Sequence, residues 1–571
     1  MALLLVVALP AAYAGCVQMP DSGPIVSGHS ESAADASMPS DIDPQPPQQG
    51  ASRLDVVNGF LQAMTAWPVK TTVAKEYLTS DAAREWNPNG GTIVYDSSAP
   101  PSDDAGQVTV RLGGASRLDS TGAWRGPAPA GDHTLRFRVV REHGEYRIAN
   151  PMDSMVVPST WFQQRFGEIA LYYFDPEAKY LVPEPVFVPQ GDQLPTALVT
   201  ALIAGPPRGL GGVVRTFVPP GLSVGLSVPV SAKGIAEVSL DGQQAQPSAE
   251  EAQLLLAQVA TTLRQDPAIT GFRVTLDERP VRARNGDSTL PIDFGSQFTA
   301  SGAATGNLFG IDRGRLVEGD PANLTPVPGP FGTPGRDLDS VAVEPAGDRA
   351  VGVTDGGRTA VQAPLSTGGP AVRTLLTGAT SLARPTADLA GRIWLLDRRS
   401  GGARIYCVQD GRADVVRVPG VSGADVRRLV VSRDGTRLVA VVHRASGDEV
   451  RGARVATAPS GRVARVVHPF RVPVGAGQRI VDIGWASPTR LAILMPNRPG
   501  GLFQIEIVPA DGSTVGADTL STVIGGHVLG LAASPDPDQP TYAVLKNTLV
   551  DVRTRVSTQL AGSPTHVGYA G

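Results

Sequence analysis

The stretch VRRLVVSRDGTRLVAVV, residues 426–442, holds two short valine-rich runs on either side of a polar SRDG turn. Valine favours a pleated, half-buried surface, and Asp-Gly supplies the left-handed backbone that a tight reversal needs. The same figure returns in LDSVAVEPAGDRAVGV (338–353), LARPTADLAGRIWLLD (382–397), IVDIGWASPTRLAILM (480–495) and VLGLAASPDPDQPTYAVL (528–545), at a period of about 44 to 54 residues. Two weaker strands follow most copies, as in ARIYCVQ and ADVVRVP. Four strands per repeat at that period predict the blades of a β-propeller, since one blade cannot cover its own faces and a ring of blades can.

Five strand pairs are visible. SPTHVGYAG (563–571) resembles the start of another blade, and NLFGIDRGRLVEG (307–319) resembles the later strands of one. Joined, the two ends complete a sixth blade and remove the open edges of the sheet. Six blades are expected over 296–571, with five and seven left open. The Ser432-Arg433-Asp434-Gly435 turn resembles that of TolB-like and WD40-like propellers. Cys407 falls in a strand, where it reads as a small buried hydrophobe. His443, His468 and His527 are read as lying in different blades, on surfaces or turns. The loop near Asp434 is expected on the accessible rim.

Upstream, 181–295 alternates helices and strands. In DQLPTALVTALIAGPP, Leu194, Leu198 and Leu202 recur every four residues, Pro195 suits the first turn, and Gly205-Pro206-Pro207 ends the helix. In SAEEAQLLLAQVATTLRQ, Ser248 and Glu251 form a capping box ahead of a Leu255, Val259, Leu263 stripe. The YLVP opening, the helix ending Ala204-Gly205-Pro206, the Val218-Pro219-Pro220-Gly221 turn, the strand EVSLDG and the capped helix together resemble the GerMN domain of sporulation and spore-germination proteins. The resemblance implies a binding module with no catalytic residues to carry over. Gly221-Leu222-Ser223-Val224-Gly225 satisfies the G-x-S-x-G pattern, but its flanks read as turn and strand rather than strand and helix, which speaks against a nucleophile. HExxH, a P-loop and GxGxxG after a strand are absent from the sequence.

Residues 51–180 begin with a helix in SRLDVVNGFLQAMTAW, whose face is assigned to Leu54, Val57, Leu61, Met64 and Trp67, with Ser52 and Asp55 as a capping pair and Pro68 as the stop. A second short helix is expected in VAKEYLTSDAAREW. The strands GTIVYD, QVTVRL and HTLRFRVVREHGEYRIA follow, the last a hairpin around His143-Gly144. Helices followed by a curved sheet resemble the NTF2-like fold. Asp132, His133, Glu142 and His143 are read as a solvated sheet face rather than as a catalytic group.

The front of the chain is MALLLVVALPAAYAGC. Its apolar run is too short to span a bilayer and fits the core of a secretory signal at 1–15, with small residues before a cleavage point. Ala14-Gly15-Cys16 resembles the lipobox of bacterial lipoproteins, which implies a diacylglycerol on the Cys16 sulfur and an acyl (palmitate-type) chain on the new amine. Tyr13 replaces the usual Leu or Val of such signals, and no Lys or Arg precedes the run. An ordinary signal with an incidental cysteine is the other reading. Residues 16–50, rich in Ser, Pro, Asp and Gln, are expected to be a disordered tether. Cys16 and Cys407 are the only cysteines. A disulfide between them is conceivable, but two cysteines alone make no metal site.

A net charge of −4 argues against a general nucleic-acid binder. The whole is expected to be a β-rich, multi-domain protein: signal peptide (1–15), lipidated tether (16–50), NTF2-like α+β domain (51–180), GerMN α+β domain (181–295) and β-propeller (296–571). These pieces in this order resemble the LpqB lipoproteins of actinobacteria. The resemblance implies a non-enzymatic lipoprotein without cofactors, on the extracytoplasmic face of the cell membrane. It also implies binding to the extracytoplasmic domain of the sensor histidine kinase MtrB and modulation of the MtrAB two-component system. A binder of peptidoglycan or its fragments, or a wall hydrolase working in the propeller channel, is the alternative.

Overall fold

The computed structural model describes residues 42–207, 209–242, 246–300, 306–369, 371–497, 501–514 and 520–571. The expected signal peptide, Cys16 and the tether up to residue 41 lie outside them.

The propeller has six blades, each a four-stranded antiparallel sheet. Blades II to VI take consecutive strands, opening with the inner strands Ser340–Val343, Thr386–Ala387, Val426–Val431, Asp482–Ser487 and Gly530–Ala532. Blade I is composite. Its three outer strands are Leu308–Asp312, Arg315–Asp320 and Asn323–Pro326, and its inner strand is Thr565–Gly568 from the other end of the chain. The inner strands contact one another in turn, and the last meets the first. Arg433 Nη2 donates to the Ala570 carbonyl at 2.8 Å and the Gly571 amide to that of Val343 at 2.9 Å, which fastens the seam.

Strand Arg437–Val442 shows why the ring holds. All six residues are buried. Side chains alternate across a strand, so Leu438, Ala440 and Val442 pack with Trp394, Ile405 and Cys407 of blade III, while Val439 and Val441 pack with Ile483, Leu491 and Ile493 of blade V. Each such valine or leucine side chain contributes about 1.5–3 kcal/mol when fully buried, and it can do so only because a blade stands on either side. Cys407 is free and buried in strand Arg404–Gln409, where burial pushes its thiol up to about 12.

The GerMN-like block pairs strands Ile235–Asp241 and Gly271–Leu276 in parallel, and helix Ala249–Leu263 makes the crossover between them. Ser248 and Glu251 form the expected capping box, and Leu255, Val259 and Leu263 are buried. Helix Leu194–Ile203 carries Pro195 in its first turn. Strand Leu181–Pro189 pairs along its whole length with Phe166–Phe174, so this hairpin straddles residue 180.

In the first block, Ser52 and Asp55 cap helix Arg53–Ala63 reciprocally, but its buried face is Val56, Val57, Phe60 and Ala63. Of the face assigned from sequence, Val57 and Met64 are buried, while Leu54, Leu61 and Trp67 lie at the margin; Phe60, the helix's largest apolar side chain and missing from that assignment, takes the centre against Trp86 and Phe137. The helix ends at Ala63 rather than at Pro68. The expected second helix is two, Thr72–Glu76 and Ser80–Glu85. They break where the Thr79 side chain caps the second and the Tyr77 carbonyl is drawn to the Ile148 amide. The His143-Gly144 hairpin forms, both residues having positive φ. Helices ahead of two bent sheets are compatible with the NTF2-like reading.

Candidate functional site

Strand Leu181–Pro189 joins three domains. Val182, Val186 and Val188 enter the GerMN-like core, and Phe187 enters the core of the first block. Between them Glu184 turns toward the propeller. Arg454 meets it with both terminal nitrogens, Nη1 donating to Oε2 at 3.0 Å and Nη2 to Oε1. Arg437 Nη2 lies 3.1 Å from the same carboxylate and also donates to the Pro183 carbonyl. These side chains are only 2–9% exposed. Two desolvated guanidiniums thus share one carboxylate, and Asp434 stands 3.7 Å from Arg437 Nη1 as the nearest further counter-charge.

Beside this contact, Thr457 N–H donates to the Gly212 carbonyl, His468 Nε2 to that of Gly209, and Tyr180 hydroxyl to that of Leu389. Ala456 of the propeller is buried within the GerMN-like core. Arg490 pairs with Glu168 at 3.0 Å, yet burial outweighs that attraction and pushes the Glu168 carboxyl up to about 7. A cleft of about 1210 Å³ runs along the junction, walled by Trp124, Pro185, Phe470 and Arg471.

These contacts cover one face of the ring. At that face the inner strands end in tight turns. Ser432 Oγ and Thr436 N–H both donate to Asp434 Oδ1, Gly435 takes the left-handed conformation at φ +72°, and Arg392 Nη2 donates to the Gly435 carbonyl. Ala300, from the segment joining the two domains, lines one small cavity with Ser432, Asp434, Pro488 and Pro535, and Asp434 is buried. The Asp434 loop is therefore covered, not on an accessible rim as expected.

The opposite mouth has a different character. At the start of the inner strands stand Asp339 (blade II), Arg384 (III), Arg428 (IV), Asp482 (V), Gly530 (VI) and His566 (I). Arg428 Nε donates to Asp482 Oδ1 at 3.1 Å, and Arg384 lies 3.9 Å from the same atom. Asp482 Oδ2 accepts the Leu531 amide at 3.1 Å and occupies the space that a side chain at residue 530 would need: a Cβ there would sit 2.9 Å from it. Asp339 is turned to the Gly357 amide at 2.8 Å. His566 stands on a β-bulge at φ +54°, unusual for a residue with a Cβ. The imidazole is exposed at the mouth, yet partial desolvation by the surrounding protein and the neighbouring Arg384 and Arg428 hold it below the usual histidine range, against the opposing pull of Asp482 and Asp339. The channel cavity measures about 80 Å³.

The other residues singled out from sequence are not brought together. Ser223 is exposed, and its hydroxyl donates to the Asp241 carbonyl rather than to an imidazole. His133 bonds the Ala128 carbonyl, Asp132 pairs with Arg117, and Glu142 accepts from Ser80. His443 and His468 belong to one blade, not two, because the strand after the 449–457 segment folds back onto it. His443 pairs with Asp448, and His527 meets the edge of Phe503. Among the described residues no group of three His, Cys, Asp or Glu is placed to hold a metal ion, and no helix is long and apolar enough to cross a membrane. The interdomain ions and the mouth residues were not found from sequence. For the mouth a signal existed: lining up the repeats places Asp339, Arg384, Arg428, Asp482 and His566 at neighbouring positions.

Comparison with known proteins covers most of the chain. The family model described as "Lipoprotein LpqB, N-terminal domain" matches residues 46–163, "Sporulation and spore germination" matches 170–282, and "Lipoprotein LpqB beta-propeller domain" matches 314–536. The chain is similar to Lipoprotein LpqB of Cutibacterium acnes, 27% identical over 91% of this chain and 90% of that protein. It is also similar to Lipoprotein LpqB of Streptomyces coelicolor, 27% identical over 98% and 96%. A solved structure, the tandem GerMN domains of the sporulation protein GerM from Bacillus subtilis, matches 22% of this chain and 46% of that one, at 19% identity and a TM-score of 0.19.

Proposed function

Since this chain belongs to the LpqB lipoprotein family, we propose that it is anchored through lipid on Cys16 to the extracytoplasmic face of the cell membrane and works by binding. Its partner on this reading is the outer domain of a sensor histidine kinase of the MtrB type, and the outcome is modulation of an MtrAB-like two-component system. The observation that supports a docking role best is the Glu184–Arg454–Arg437 contact. It fixes the GerMN-like block against one face of the propeller and leaves the other face free to meet a partner. A body that binds one kinase conformation better shifts the kinase population by that difference in affinity. Lipid anchoring confines both proteins to one surface and raises their effective concentration, so a weak interface suffices.

A wall hydrolase in the channel is less well supported. The channel cavity of about 80 Å³ is too small for a sugar ring and its neighbours, and Asp482 is engaged by Arg428 and by backbone amides.

The test is crosslinking in intact cells from a photoreactive group at Asp355, an exposed residue beside the Gly357 amide on the free face. Capture of the kinase is the expected result. Capture from the Asp434 turn instead, or from neither position, refutes the arrangement. Cys16→Ser is expected to release the mature chain from the membrane fraction, and unchanged partitioning would reject the anchor.

A further inference from the structure

We infer that the free mouth of the propeller channel is an oxyanion site, in which Arg384, Arg428 and His566 hold a carboxylate or phosphate group. Five charged or titratable side chains converge there, each from a different blade, and the two acids are already engaged. Asp482 accepts from Arg428 Nε, the Ile483 amide and the Leu531 amide. Asp339 accepts from the Gly357 amide. The bases are not matched in the same way. Arg428 spends Nε on Asp482 and Nη1 on the Arg427 carbonyl, and its Nη2 makes no hydrogen bond among the described residues. Arg384 has only the 3.9 Å approach to Asp482, and His566 has no hydrogen bond among the described residues. A guanidinium carries five donors in a fork suited to planar oxyanions, so both arginines keep unused donors at the mouth, where Arg384 and His566 line the channel cavity.

The backbone points the same way. A bulge with a non-glycine residue at φ +54° costs stability, and here it carries the imidazole to the mouth. Size limits the ligand. A cavity of about 80 Å³ is about half the roughly 150 Å³ of a cavity that holds one benzene ring, so it admits a small oxyanion head and not a ring. The bulk of the ligand stays outside, on the free face.

The groups facing His566 are Arg384 and Arg428, which disfavour its protonation, and Asp482 and Asp339, which favour it. A bound anion adds to the second pair. Binding therefore takes up a proton, and affinity rises as pH falls through the range in which His566 titrates.

Calorimetric titration of the full mature chain at low ionic strength tests this, with inorganic phosphate and succinate as separate probes at about pH 5.5 and 7.5, on either side of the ordinary histidine value. A saturable one-to-one isotherm is expected with at least one probe. It should weaken by about tenfold or more in Arg384→Gln, since a charge-assisted pair is lost. Phosphate and succinate change their own protonation between these pH values, so each affinity is read against His566→Asn, which tolerates the left-handed backbone, and the native-to-variant affinity ratio should be larger at the lower pH. Which probe binds more tightly tells a phosphate-bearing from a carboxylate-bearing ligand. No saturable binding of either probe, or binding indifferent to Arg384→Gln, overturns the site. A native-to-variant affinity ratio that is the same at both pH values for His566→Asn removes the histidine from it.

Discussion

Replacing Glu184 by alanine leaves Arg454 buried without a counter-charge. Arg437 keeps the Pro183 carbonyl and Asp434 at 3.7 Å, but both of Arg454's hydrogen bonds end on Glu184 and its Nε has no partner. Removing one partner of a buried pair costs about 3–5 kcal/mol, mostly the penalty of the stranded ion. The loss falls on the contact between the GerMN-like block and the propeller, not on either core. It should appear as opening of that contact before global unfolding. The Thr457 amide, which donates to the Gly212 carbonyl across the contact at 2.9 Å, reports it directly. At 1.4 kcal/mol per decade, its hydrogen-exchange protection should fall by about two to three and a half powers of ten. The Leu438 amide, inside the propeller, should be unaffected. Adding Arg454→Leu should restore much of the loss, because the stranded charge is gone. A fall of less than about fivefold at Thr457, equal to about 1 kcal/mol, would refute the idea that these ions are desolvated and hold the domains together.

Three further outcomes are expected. Phe60→Ala, at the centre of the first core against Trp86 and Phe137, should destabilise that block by about 3–5 kcal/mol in calorimetry. Glu168 titrates near 7 in the fold against an ordinary 4.5, so its protonated form favours folding below pH 4.5 and that advantage is lost as pH rises to about 7. The loss is at most about 3 kcal/mol, and Glu168→Gln should flatten that part of the stability profile in denaturant titrations. Cys407, with its thiol held up at about 12, should resist iodoacetamide at neutral pH until the propeller unfolds, as read by mass spectrometry.

What was legible from sequence followed repetition and local chemistry. Six blades, the composite blade I and the Ser248–Glu251 box depend on strand alternation, turn residues and hydrogen bonds spanning three or four positions. All of these leave a periodic trace. The first helix was found but its central residue, Phe60, was missed, because Leu54 and Phe60 compete for the core and only tertiary packing decides between them. The Glu184 contact left no trace at all: its partners Arg437 and Arg454 lie 253 and 270 positions away, and an isolated glutamate within YLVPEPVFVP reads as a solvated edge. His443 and His468 were separated because the long strands of that blade stretch its repeat. The covering of the Asp434 turn follows from how whole domains dock, which no local pattern encodes.

The composite blade sets an order of events for synthesis. Thr565–Gly568 must lie against Leu308–Asp312, so the ring of blades stays a gapped arc until residues 565–568 have emerged. Bringing those ends together carries the entropy of a loop of more than two hundred residues, about 5 kcal/mol by the logarithmic rule. A chain stalled before residue 565 would keep two unpaired flanks exposed, and would be a substrate for quality-control proteases rather than a working protein.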